Sequence, residues 1–113
     1  MSNTIQTDFG YEMYWAKTNS YASKILVFKE KDSKLPLHFY KNLERTWFVN
    51  GGEFSIRWIN TDTGEILEAD LKDGQVFHIT PLMPVSLIAK QSGSSITEVN
   101  NSLKEDMFIL SKV

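Results

Sequence analysis

The chain has no cysteine in its 113 residues. That removes disulfides and thiolate metal sites, and it leaves the redox compartment open. Histidine is scarce: His38 and His78 are the two in the chain, so few nitrogen ligands exist for a metal. Charge of one sign is lacking too, since 12 basic and 14 acidic residues leave a net charge of −2. Nucleic acid asks for a basic face and none is visible, so no nucleic-acid partner is expected. No apolar run approaches the length of a membrane span, and the polar start MSNTIQTDFG lacks the apolar stretch of a signal peptide. A soluble cytoplasmic protein with no membrane partner is therefore the expectation. There is no Gly-x-Ser-x-Gly elbow and no phosphate loop, so nothing points to nucleophilic catalysis. Helical periodicity is nearly absent, as are internal repeats.

What is present reads as strands. The length suits one domain with a small core, and 12 % aromatic residues favour sheet. Residues 1–8 are polar and read as a loose N-terminus, leaving 9–113 as the domain. Phe9 to Trp15 is an aromatic strand or covering arm. Lys24 to Lys29 is a strand apolar on both faces. Its flanking Lys24 and Lys29, with Lys31 and Lys34, read as solvated charges around a turn. Leu35 to Tyr40 carries Pro36, which cannot donate to a ladder, so this stretch starts a strand or lies at an edge. Thr46 to Asn50 is a strand that ends in the tight turn Gly51-Gly52. Phe54 to Ile59 alternates Phe54, Ile56 and Trp58 against Ser55 and Arg57, the pattern of a half-buried strand. Strands then follow at Glu65–Leu71, Val76–Ile79, Val85–Ala89 and Ile96–Val99, separated by Asn60 to Gly64, Lys72-Asp73-Gly74, the loop Pro81 to Pro84 and Gln91 to Ser94. The tail, Leu103 to Leu110, fits a short helix capped by Ser102 or a strand crossing to a partner subunit. Eight or more short strands at this spacing predict an all-β sandwich or jelly roll.

The stretch LPLHFYKNLERTWFVNGG, from Leu35 to Gly52, concentrates the chemistry. Side chains alternate along a strand, so His38 and Tyr40 project together, and Glu44 follows a short loop later. This spacing, His-x-Tyr-x3-Glu-x6-Gly, resembles the first cupin motif, His-x-His-x3-4-Glu-x6-Gly. Asp73 to Val85, with its Asp-Gly turn, aromatic strand and proline-bracketed loop, resembles the second. Phe9-Gly10-Tyr11-Glu12 is similar to the Trp-Gly-x-Tyr-Glu opening of the cupin domain in type II mannose-6-phosphate isomerases, which carry Glu-His-Trp where this chain has Arg45-Thr46-Trp47. The resemblance covers nearly the whole chain. It implies a single-domain cupin jelly roll, a pocket in the barrel, and pairing as a homodimer, with the N-terminal arm and Met107 to Leu110 as candidate contact surfaces.

The resemblance also marks departures. Tyr40 stands where the family has its second metal histidine, and Val85 where it has its last. Anchoring on His38 and Gly51 places Glu44 at the carboxylate ligand. Anchoring on Trp47 places Arg45 there, with Tyr40 and Asn42 at the histidine positions. The first register is adopted, because it keeps two ligand-type residues. A divalent metal, if any, would sit on His38, Tyr40 and Glu44, but two firm ligands are too few, and no cofactor is expected. The reading is a pocket for a carbohydrate or other small polar ligand, lined by His38, Tyr40, Glu44, Trp47, Arg57, Phe77 and His78. The alternatives are a sugar or sugar-phosphate isomerase or epimerase, with His38 or Glu44 as general base, and a self-associating structural module.

Overall fold

The computed structural model describes residues 3–111. Among them lie eleven strands and no helix: β1 (Thr4–Gln6), β2 (Gly10–Lys17), β3 (Ala22–Phe28), β4 (Lys34–Phe39), β5 (Arg45–Gly51), β6 (Glu53–Ile59), β7 (Ile66–Lys72), β8 (Val76–Ile79), β9 (Val85–Ala89), β10 (Ser94–Asn100) and β11 (Phe108–Ser111). They form a six-stranded sheet, ordered β1-β2-β3-β10-β5-β8, and a five-stranded sheet, ordered β11-β4-β9-β6-β7. Every pairing is antiparallel. From β3 to β5 and from β7 to β10 the chain changes sheet at each step, which rolls the two sheets into a jelly-roll barrel. Among the described residues no helix is long and apolar enough to cross a membrane.

Alternation fixes what faces inward. On β5, Arg45, Trp47 and Val49 are buried, while Phe48 and Asn50 are exposed. On β6, Phe54 and Ile56 are buried and Arg57 is exposed. The apolar part of the core holds Phe28 stacked on Phe9 at 4.3 Å and edge-on to Phe54 at 4.9 Å, with Leu87 and Ile96 beside them. Further along the strands one cross-strand row turns polar: Tyr14, Lys24, Glu98 and Trp47 are paired neighbours across β2, β3, β10 and β5.

The turn at Gly51-Gly52 forms as its sequence predicts. Gly52 has φ +90°, and a Cβ there would come within 2.8 Å of the Ser94 Cα, so the position requires glycine on two counts.

Three expectations are corrected. The segment read as loose, residues 1–8, contains β1, whose Thr4, Ile5 and Gln6 pair with Met13, Glu12 and Tyr11; Met1 and Ser2 lie outside the described residues. The tail is not a helix: β11 pairs with β4 of its own chain, Phe108 against Phe39. The phenyl rings of that pair stack at 5.1 Å. For the same reason β4 is not an edge: it lies between β11 and β9. Pro36 is tolerated there because the β4–β9 register shifts between Leu35, opposite Leu87, and His38, opposite Val85. That bulge has one extra residue on β4, and it accommodates a residue that cannot donate to the ladder.

Candidate functional site

The β4 bulge places the histidine. His38 is fully buried, and its Nδ1 lies 2.7 Å from the Pro36 carbonyl oxygen. A carbonyl oxygen only accepts, so Nδ1 carries the proton and donates it. Nε2 is left with its lone pair, which accepts from Arg45 Nη1 at 2.8 Å. Burial, with the Arg45 charge next, pushes the His38 pKa down to about 4, so the imidazole is neutral at physiological pH. The Arg45 guanidinium lies 4.8 Å from the centre of the Tyr40 ring and 5.2 Å from that of Trp47. Its pKa is lowered by burial, yet it stays a cation, and its Nε is buried without a hydrogen-bond partner.

Beside this pair lies an ion cluster. Lys24 Nζ donates to both oxygens of Glu12 at 3.3 Å and sits 3.9 Å from Glu98. Glu98 is buried and also accepts from Trp47 Nε1 and from Asn100 Nδ2, each at 2.9 Å. Burial alone would neutralise Glu98 and Lys24. For Glu98, the Lys24 and Arg45 charges and the two donated hydrogen bonds outweigh it and lower the pKa. For Lys24, the carboxylates of Glu98 and Glu12 outweigh it and raise the pKa. Buried ion groups of this kind seldom stabilise a fold more than an apolar set of equal volume, so the argument for them is function.

These groups surround a cavity of about 270 Å³ between the sheets, bounded by Glu12, Lys24, His38, Tyr40, Arg45 and Glu98. Leu26 and Leu35 supply apolar wall, and Met107 and Ile109 close over it from the tail. A wider recess of about 600 Å³ shares Lys24, Tyr40 and Glu98 with it. The segment that borders this recess is held by Glu105, whose Oε1 accepts from the backbone N–H of Asn42 at 2.7 Å and of Leu43 at 3.1 Å.

Of the seven residues proposed from sequence, His38 and Tyr40 line the cavity, with ring centres 5.9 Å apart. The other five do not line it. Glu44 is exposed on the outside of the barrel, where its Oε2 lies 2.7 Å from Nε2 of the half-exposed His78. His78 also meets Thr46 Oγ1 at 3.0 Å, so neither residue reaches the interior. Arg57 points to solvent and pairs with Glu68 at 3.7 Å. Trp47 is fully buried in the core, behind Arg45 and Glu98. Phe77 packs edge-on against Trp58 at 4.9 Å and is the cross-strand neighbour of Trp47.

Glu12, Lys24 and Glu98 are not singled out by the sequence, and the Lys24 side chain is largely covered, at 13 % exposed, rather than solvated. Arg45 enters the site only in the second register. The parity of β5 decides between the registers: Arg45 shares the inward face with Trp47 and Val49, and Glu44 falls on the other. His38 and Tyr40, the pair of the first register, nevertheless both line the cavity, so neither register holds as a whole. A signal did exist. Lys24 shares parity with Leu26 and Phe28, and Glu98 with Ile96, and a charge on the apolar face of a strand is out of place as a surface residue.

A cupin metal centre would draw on the positions of His38, Tyr40, Arg45 and Val85. These do not fit a divalent cation. The one imidazole already accepts a hydrogen bond from a guanidinium 2.8 Å away, and Val85 offers only methyl groups. No group of three or more histidine, aspartate or glutamate side chains among the described residues is placed to hold a metal.

The two sheets and their crossings define the cupin jelly roll. No family model and no curated protein sequence matches the chain. Solved structures do match in fold. CapF with the inhibitor 3-isopropenyl-tropolone aligns with TM-score 0.82 at 16 % identity, over 98 % of this chain and 34 % of CapF. Oxalate decarboxylase OxdC of Bacillus subtilis, as a deletion mutant, aligns with TM-score 0.81 at 17 % identity, over 96 % of this chain and 30 % of that one. KdgF from Halomonas sp. aligns with TM-score 0.73 at 16 % identity, over 85 % of this chain and 81 % of KdgF. The chain thus spans about a third of the length of the first two. Another structure of the decarboxylase describes Mn(II) centres in that enzyme. At these identities the likeness is one of fold, and none of the three is named as a mannose-6-phosphate isomerase.

Proposed function

We propose that the barrel is a binding site for a small polar molecule, with carbohydrates and their derivatives as the leading class, and that it works without a metal. The observation that carries this reading is Lys24, held between Glu12 and Glu98 where the inner cavity meets the wider recess. Paired ammonium and carboxylate groups offer donors and acceptors side by side, which suits hydroxyl groups that do both. Tyr40 adds an aromatic wall shared by both spaces. Calorimetry of the full chain against sugars, sugar phosphates and organic acids is the test. We expect one class to bind and Lys24→Met to weaken it while the variant remains folded. Folded protein that binds none of them would end this reading.

An isomerase or epimerase in the same barrel has less support. Both nitrogens of His38 are engaged, and Glu44 lies outside. We expect no conversion of mannose 6-phosphate to fructose 6-phosphate by the purified chain. We further propose a homodimer that uses the exposed apolar side chains of the terminal edge strands, Ile5 on β1 and Ile109 and Leu110 on β11.

A further inference from the structure

Of the two cations on the cavity wall, one is paired directly with carboxylates, while the other feels Glu98 only at a distance. Lys24 sits on the carboxylates of Glu12 and Glu98. Arg45 has no carboxylate within 4.0 Å among the described residues, and its single hydrogen bond goes to a neutral imidazole. We propose that Arg45 binds the carboxylate of a small organic acid, so that the ligand of this cavity is a monoanion. The inference deepens the proposed function and rests on the barrel being a ligand site.

The unpartnered edge of the guanidinium has the shape of a carboxylate site, although its Nε is covered from solvent and a ligand has to part the neighbouring side chains to reach it. Nη1 is taken by His38, which leaves Nε and Nη2, the side edge with two parallel N–H groups. A carboxylate accepts both at once, which a lysine ammonium in the same place would not reproduce. The fork is held in advance: the Tyr40 and Trp47 rings bear on the guanidinium, and His38, anchored by the Pro36 carbonyl, fixes its far corner. Little ordering is then left for the binding step.

Charge and size narrow the class. Asp8, Glu12 and Glu98 line this space against Lys24, Lys34 and Arg45, so the wall carries no surplus of positive charge for a dianion, which favours a carboxylate over a phosphate dianion. The cavity, at about 270 Å³, is small for a ligand site and selects a short carbon body. Leu26, Leu35 and Ile109 provide the apolar wall for it.

The test compares acids with their isosteric amides on the full chain: lactate with lactamide and glucuronate with glucuronamide, alongside glucose and inorganic phosphate. Calorimetry gives affinity, and nitrogen-15 NMR follows the Arg45 Nε–H. At least one acid should bind, its amide should bind at least about tenfold more weakly, and saturation should move the Arg45 Nε–H resonance. Arg45→Lys should weaken binding and Arg45→Met abolish it, with circular dichroism confirming the fold. The wild-type resonance carries the test if either variant unfolds. Equal binding of acid and amide, tighter binding of phosphate than of either acid, or an unmoved Arg45 resonance at saturation would overturn the inference. Glucose binding without acid binding overturns it and spares the cavity reading, whereas silence from every probe overturns both.

Discussion

His38 is buried as a neutral imidazole, and this makes stability depend on pH. Its pKa is about 4 in the folded chain against 6.5 for the free side chain. Between these values the unfolded chain takes up a proton that the folded chain refuses, so stability falls as pH drops from about 6.5 to about 4. The full difference is on the order of 3 kcal/mol. Glu98 acts lower. Its folded pKa lies below 4.5, so its contribution is present above that value and is lost as pH falls through the lower folded one. Thermal melts across this range should show a steeper acid decline in the wild type than in His38→Gln, which still offers one donor and one acceptor. Identical slopes would show that His38 does not titrate in this way. At this scale the sequence was only partly legible. His38 and Tyr40 could be paired because they are two residues apart on one strand. Lys24 and Glu98 become partners only when β3 and β10 are side by side, and nothing local announces that pairing.

The elements were easier to read where local chemistry decides them. Alternation on β5 and β6 and the turns at Gly52 and Gly74 are encoded within a few residues. Gly52 and its neighbour form a sharp test of that statement. Gly52→Ala forces a Cβ onto Ser94 at positive φ and should destabilise by about 1–3 kcal/mol or more. Gly51 has open space around its would-be Cβ, so Gly51→Ala should change stability by no more than about 1 kcal/mol. Urea unfolding of the two variants distinguishes them, and equal effects would mean the turn is not built as described. The elements that were misread are β1 and β11 and the inner position of β4. Each depends on a partner strand elsewhere in the chain. The tail's apolar residues suit a helix as well as a strand until β4 offers its edge, and Pro36 argues for an edge until the bulge absorbs it.

The whole molecule was legible as a jelly roll because strand number, turn spacing and motif order all agreed. Its assembly is a separate matter. If terminal edge strands mediate a homodimer, sedimentation velocity should give a dimer for the full chain, and Leu110→Glu, at a half-exposed position, should shift it to monomer without unfolding. A wild-type monomer, or a variant that stays dimeric, would remove that proposal.

The proposal that the barrel works without a metal rests on Arg45, whose guanidinium occupies the lone pair of the one imidazole in the cavity. Elemental analysis by mass spectrometry tests it most directly, on protein loaded with Mn, Fe, Ni or Zn and then desalted. Well under one equivalent of any of them is expected, because His38 Nε2 is already hydrogen-bonded to Arg45 and Val85 supplies no ligand. One equivalent of a transition metal that His38→Ala abolishes would contradict it.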